Sequence, residues 1–325
     1  MGACALAVAG LFPQRGEFTY LPDHVGTVEA VRVGPGASAE WKLSPAELKV
    51  FTGNLAALRD LVLSQPVFNP PKGFLVSGNF RVTAEGGRTG IPIRGWGFLR
   101  YHPYALVNGK PIALENNSPE LYLYVNDPTA AVGHISAGPY FPHYQSPLLF
   151  EPHKIGERQG FAIYTAKLRD EVSPFIVLTR STKPLWVPLC KEAFLQIMIK
   201  HHEARHAAGD GDYSSAEPVN NMRAALAKMS PEERREQAIY QEHYDFSPPL
   251  AAPGTKEAEP LVVPNPDLFD PALPRTAVQL VIAEFRSAWN LKDPQPDQGN
   301  YTRVRHARTL DTSDWKAISA LLDRR

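Results

Sequence analysis

Leu121-Tyr-Leu-Tyr-Val125, closed by Asn126-Asp127-Pro128, decides how this chain folds. Leucine, tyrosine and valine in unbroken succession favour a pleated, half-buried strand, and an Asn-Asp-Pro run stops it. Working upstream, Asn108-Gly109 sits between the runs Tyr104–Val107 and Ile112–Leu114, where it predicts a tight hairpin turn. Phe74–Val82 and Ile91–Tyr101 precede that hairpin as further strands, and Gly160–Tyr164 and Phe175–Thr179 follow it. Together they predict a sheet over residues 74–187. Thr276–Phe285 reads as one more strand, with a short helix as the alternative, and is too apolar to stand apart from a sheet.

Helices flank this block. Ser44-Pro45-Ala46-Glu47 is a helix start: Ser44 caps, Pro45 suits the first turn, and Glu47 can reach back in a capping box. Leu48, Phe51, Leu55, Leu58 and Val62 then mark the apolar stripe of a helix over 45–63. A second helix is expected from about Leu189, through Lys191–Lys200 into a run of histidines, ended by Gly209-Asp-Gly-Asp212. Asn221–Lys228, the capped Ser230-Pro-Glu-Glu233 and a terminal helix carrying Trp315, Ile318, Leu321 and Leu322 complete the set. The order does not alternate as a doubly wound or barrel fold would. The expected class is therefore α+β: a mainly antiparallel twisted sheet covered on one face by helices 45–63 and 190–207. Residues 13–325 read as a single domain, with a proline-rich connector at about 246–274.

Composition excludes some functions. Lys plus Arg and Asp plus Glu balance at 34 each, and no basic stripe is interleaved with aromatics, so nucleic acid is not an expected partner. No stretch approaches the roughly 18 uninterrupted apolar residues of a membrane helix, so no integral membrane segment is expected. The 31 prolines, against about 16 at average usage, imply rigid turns and ordered loops. Cys4 and Cys190 make no disulfide framework. Residues 1–12, MGACALAVAGLF, read either as the remnant of an export signal or as a buried first strand.

The stretch that most resembles a reaction centre is His202-Glu203-Ala204-Arg205-His206, continued to Gly209 and Asp212. Two imidazoles four apart share a helix face and can grip one zinc; Glu203 would act on a bound water, and Asp212 would add an oxygen ligand. The same spacing, Leu195, Ile199, His202, His206, also suits half-buried histidines at the end of a core helix, and the Gly fits an ordinary helix stop. The extended pattern resembles the metzincin zinc peptidases that use Asp as third ligand. It departs from them in that the nearest downstream methionine, Met222, lies at a helix start.

A second cluster lies on a loop: His134, Tyr140, His143 and Tyr144, then Glu151 and His153. Histidines and tyrosines on a proline-rich loop can line a pocket for a small molecule, a glycan or a protein segment, can bind a metal, or can cap an open sheet face in place of a helix. No phosphate loop, dinucleotide fingerprint or nucleophile elbow occurs.

The phrases Trp41-Lys-Leu-Ser-Pro-Ala-Glu47, Phe68-Asn-Pro-Pro-Lys-Gly-Phe74, Lys183-Pro-Leu-Trp-Val-Pro188 and Met229-Ser-Pro-Glu-Glu233 resemble a broad group of uncharacterised, mostly exported bacterial proteins. The likeness covers about residues 41–322 and carries no activity. It implies a secreted or periplasmic location and a long helix after the Pro-Leu-Trp-Val-Pro stretch. The expected function is accordingly a non-catalytic binding or accessory role without a cofactor. The alternative is a zinc-dependent hydrolase at His202, Glu203, His206 and Asp212.

Overall fold

Strand β4 (Arg94–Val107) is the spine of the computed structural model, pairing with four others. The structure describes residues 19–35, 43–83, 92–114, 120–129, 149–168, 171–211, 215–241, 247–256, 258–286 and 308–322. On one side β4 takes β3 (Phe74–Thr83), with β2 (Arg32–Pro35) beyond it; on the other it takes β6 (Glu120–Val125). Beyond β6 come β14 (Leu280–Arg286), β10 (Glu171–Thr179), β9 (Phe161–Leu168) and β8 (His153–Arg158). The short strands β1 (Thr19–Tyr20) and β5 (Lys110–Ala113) pair with the far end of β4. Only β2 against β3 is parallel among the described strand pairs.

The expected two runs 91–101 and 104–107 are one strand, because Pro103 falls opposite Phe74 without ending the ladder. Asn108 and Gly109 form the turn into β5 with φ of 50° and 75°, the left-handed pair that a two-residue hairpin requires. The late segment is the strand β14, not a helix, and it is inserted between β6 and β10.

Helix α1 (Pro45–Leu63) starts with both halves of the capping box, Glu47 N–H to Ser44 Oγ and Ser44 N–H to Glu47 Oε2. Its stripe Phe51, Leu55, Leu58 and Val62 is almost fully buried. The sheet answers with Phe74, Val76, Phe80, Val82, Leu99, Tyr101, Leu121, Leu123, Val125, Ile176, Leu178, Val281 and Phe285. Gly97 lies opposite Phe80, and a Cβ there would sit 2.4 Å from the ring, so the absence of a side chain lets Phe80 lie across β4. The helix α5 (Trp315–Ser319) and the turn after it close the same core with Trp315, Ile318, Leu321 and Leu322. The fold is thus α+β, a mostly antiparallel twisted sheet with helices packed against it.

A smaller sheet runs β11 (Trp186–Pro188), β13 (Glu259–Pro264), β12 (Ile239–Tyr240), with β7 (Leu149–Phe150) on β13. Strand β13 occupies the segment read from sequence as a connector. Its Glu-Pro-Leu-Val-Val-Pro carries proline near both ends, where a strand tolerates it, and Leu261 and Val262 between them are buried. The helix α2 (Lys191–Ala207) does not join α1 on the large sheet. Its Phe194, Leu195, Met198 and Ile199 pack with Val219 and Met222 of α3 (Glu217–Lys228) and with Tyr240 and Leu261 of the smaller sheet. The face expected to receive it is already sealed by α1 and α5. A five-residue helix α4 (Pro231–Arg235) follows, opened by the expected Ser230–Glu233 capping box.

At the end of β6, Asn126 ties the large sheet together. It is fully buried at φ 55°, donates through Nδ2 to Ile93 O (2.9 Å) and Ala277 O (2.8 Å), and accepts through Oδ1 from Gln279 N–H (2.8 Å) and Leu280 N–H (3.1 Å).

Candidate functional site

The histidine motif lies on the last two turns of α2; of the expected stripe Leu195 and Ile199 are buried, and the buried surface also takes in His201. Phe194, Met198 and His201 follow one buried row at spacings of four and three, and His201 is 9% exposed. His202 is only half-buried and His206 is exposed. Burial pushes the His202 imidazole below its usual range. Glu203 is turned toward α3, where it forms an ion pair with Arg223, and Arg205 pairs with Asp210. The helix stops at Gly209, φ 75°, with Gly209 N–H donating to His206 O and Asp210 N–H to Arg205 O. Asp212 lies outside the described residues. Among the described residues no three or more His, Cys, Asp or Glu side chains gather closely enough to hold a metal ion.

Of the loop cluster, His134, Tyr140, His143 and Tyr144 also lie outside the described residues. His153 opens the edge strand β8, exposed, with its Nε2 4.0 Å from a Glu259 carboxylate oxygen. Cys190, at the cap position of α2, is a free thiol with intermediate exposure.

A different surface brings chemistry together: the face of the large sheet that α1 does not cover. Side chains alternate along a strand, so residues directly opposite in register share a face and form rows across the sheet. One row reads Asn79, Phe98, Tyr122, Glu284, Phe175, Tyr164. Its neighbour on one side reads Arg81, Trp96, Tyr124, Ile282, Val177. On the other side lies Ser77, Arg100, Glu120, and next to that Leu75 opposite His102.

Half of this face is sealed. Leu149, Leu185, Val262 and Leu268 pack over Tyr124, Phe175, Val177, Leu280 and Ile282. Toward β3 and β4 that cluster gives out: Trp96 and Tyr122 pack against its margin, and with Phe98 they stay partly exposed. Their rings are stacked: Trp96 to Phe98 at 5.7 Å and 20°, Trp96 to Tyr122 at 6.3 Å and 19°, Tyr122 to Tyr124 at 6.0 Å and 15°.

Polar groups frame the rings. The Arg100 guanidinium lies 5.0 Å from the Phe98 centroid and bonds Glu120, which also accepts from the Tyr122 hydroxyl. Glu284, 1% exposed, accepts from the Tyr124 hydroxyl at 2.8 Å. Ser77 Oγ and His102 Nε2 are 2.7 Å apart. The Asn79 amide oxygen is buried with no hydrogen-bond partner among the described residues.

Sequence reasoning missed this face. The usable signal was the alternation Trp96, Phe98, Arg100, His102 along a single strand, matched by Glu120, Tyr122, Tyr124 on the next. Reading the strands for propensity alone leaves it unseen, since each pair is assembled only by register. No protein-family profile, no curated protein and no solved structure matches this chain.

Proposed function

We propose that this chain is a binding protein whose ligand rests on the half-exposed aromatic rows of β3, β4 and β6. The observation that supports this is the unsealed stack Trp96, Phe98, Tyr122 beside the Arg100–Glu120 pair. Apolar rings held in fixed stacking by a rigid sheet offer a pre-ordered surface, and a few convergent polar groups orient what binds there. The ligand that fits is a small molecule with a flat apolar part and a polar or anionic substituent to meet Arg100. The exported location expected from the sequence belongs to the same reading.

The test uses 1-anilinonaphthalene-8-sulfonate, a flat probe with one anionic group, titrated by fluorescence against protein shown by thermal melting to be folded. One saturable site is expected, weakened tenfold or more, about 1.4 kcal/mol, by Trp96→Ala or Tyr122→Ala. Val25→Ala, at an exposed valine away from the rows, leaves it unchanged. Equal affinity in all four proteins refutes the reading. The zinc-hydrolase alternative has a separate test, zinc content by plasma mass spectrometry. It requires one zinc per chain, lost in the His202→Ala/His206→Ala variant, and Glu203 released from Arg223 to meet a water.

A further inference from the structure

We propose that Ser77 and His102 form a nucleophile–base pair that cleaves small carboxylic esters, with the Asn79 amide placed beside the ester carbonyl. This goes beyond the binding reading and shares its surface: the apolar part of the ester would rest on Phe98 and Tyr122.

The geometry begins with the hydrogen bond. Ser77 Oγ lies 2.7 Å from His102 Nε2, within the contact an activated serine makes with its base. Both residues sit inside the longest ladder of the sheet, where β3 and β4 stay in register from Phe74–Pro103 to Thr83–Arg94. The pair is therefore set by backbone on both sides, not by a loop. Exposure is divided as such a pair requires. His102 is 9% exposed, and Ser77 is half-buried. With Ser77 donating to Nε2, the imidazole proton lies on Nδ1.

Asn79 adds the third element. It is two residues along β3 on the same face, on the side of Ser77 away from His102, about 7 Å along the strand. Its amide oxygen is buried without a partner among the described residues. A buried polar atom left so is uncommon in a finished protein interior. The oxygen can only accept, so the atom of this amide that would meet an ester carbonyl is the donor of the same group, the Nδ2 amine. The order along the face is then His102, Ser77, Asn79 with Phe98 opposite, so the leaving alcohol faces the base and the acyl part faces the rings.

The reaction balances without a co-reactant beyond water. Ser77 Oγ forms a bond to the carbonyl carbon while its proton passes to His102 Nε2. The carbon–alkoxy bond breaks, and His102 returns that proton to the leaving alcohol. Water then adds to the acyl carbon, giving a proton to His102. The carbon–Oγ bond breaks, the carboxylic acid departs, and the proton goes back to Ser77.

A fluorophosphonate probe with mass mapping of the labelled peptide tests this on the intact chain. The expected result is one phosphonyl group on Ser77 of the folded wild type, with fluoride released, and none on the heat-unfolded protein. His102→Gln should slow labelling by about 100-fold at unchanged far-UV circular dichroism. Asn79→Ala should lower kcat for p-nitrophenyl butyrate by tenfold or more at little-changed KM, whereas Phe98→Ala should raise KM. Ser77 left unlabelled in folded protein overturns the proposal, whether or not the His102 variant folds. If that protein still binds the anilinonaphthalene probe, the binding reading stands alone. Labelling of Ser77 that survives loss of probe binding in Trp96→Ala supports the pair and shows that the ester does not need the Trp96 ring.

Discussion

The two faces of the large sheet are built from the same strands and are opposite in character. Under α1 and α5 the residues are Leu, Val, Ile and Phe, nearly all without exposure, joined by Tyr101 and Trp315, whose polar atoms are spent on Thr309 and Leu310 O. Burial pushes the Tyr101 phenol well above its usual range, as a group in a dry interior requires. One residue away along each strand, the other face carries Ser77, Asn79, Trp96, Phe98, Arg100, His102, Glu120 and Tyr122. A sheet needs one sealed face to be stable. The second is then available for groups that packing alone would not select, and here the described cluster that covers it lies over β10, β14 and Tyr124 of β6.

The contrast is sharpest in a matched pair of truncations. Phe51→Ala opens a cavity among fully buried neighbours and should cost about 3–5 kcal/mol in urea unfolding. Phe98→Ala removes the same side chain from a half-exposed row and should cost less than about 2 kcal/mol. Equal costs would mean that the open face is an ordinary core.

Asn126 belongs to both faces, and its loss should not distinguish them. Asn126→Asp replaces two donors with a carboxylate oxygen pointed at Ile93 O and Ala277 O, while the left-handed φ stays acceptable. About 3 kcal/mol of destabilisation is expected. Circular dichroism and tryptophan fluorescence should still report one coincident transition. Separate transitions would show that the faces unfold independently.

Much of the fold was legible because its signals are local. The Ser44 and Ser230 capping boxes, the Phe51–Val62 stripe, the Asn108-Gly109 turn and the Leu121–Val125 strand each depend on neighbours within a few positions. What was not legible depends on distant pairing. Strand β13 hides between prolines and becomes a strand only beside β11 and β12. In α2 both His201 and His202 continue buried apolar rows, and which of the two is the more buried cannot be read from spacing along the helix. Ser77 and His102 are 25 residues apart and meet only because Leu75 falls opposite His102. The histidine motif of α2 is contiguous in sequence, whereas the residues of the aromatic face are dispersed over three strands.

Within the sealed half of the second face, Tyr124→Phe asks how far Glu284 depends on one hydroxyl. The substitution keeps the ring stack with Tyr122 and removes the 2.8 Å bond to a carboxylate that is 1% exposed. About 1–3 kcal/mol should be lost, more than a hydroxyl on an open surface would contribute. A change within about 0.5 kcal/mol would place Glu284 with the solvated half of the face.

The smallest effect concerns the third apolar patch, under α2, which is aliphatic like the sealed face but ends in imidazoles. Burial lowers the His202 pKa in the folded chain from the ordinary 6.5. Between the folded value and about 6.5 the unfolded chain therefore binds more protons, so stability rises with pH through that window. The contribution is complete above the unfolded pKa and is lost as pH falls. Because His202 is only half-buried the slope is shallow, and it should be read as a difference in Tm between about pH 7.5 and pH 5.5. His202→Gln, which keeps a polar side chain but cannot take up a proton, should reduce that difference. An unchanged difference would assign the acid sensitivity elsewhere and leave His202 as solvated as His206.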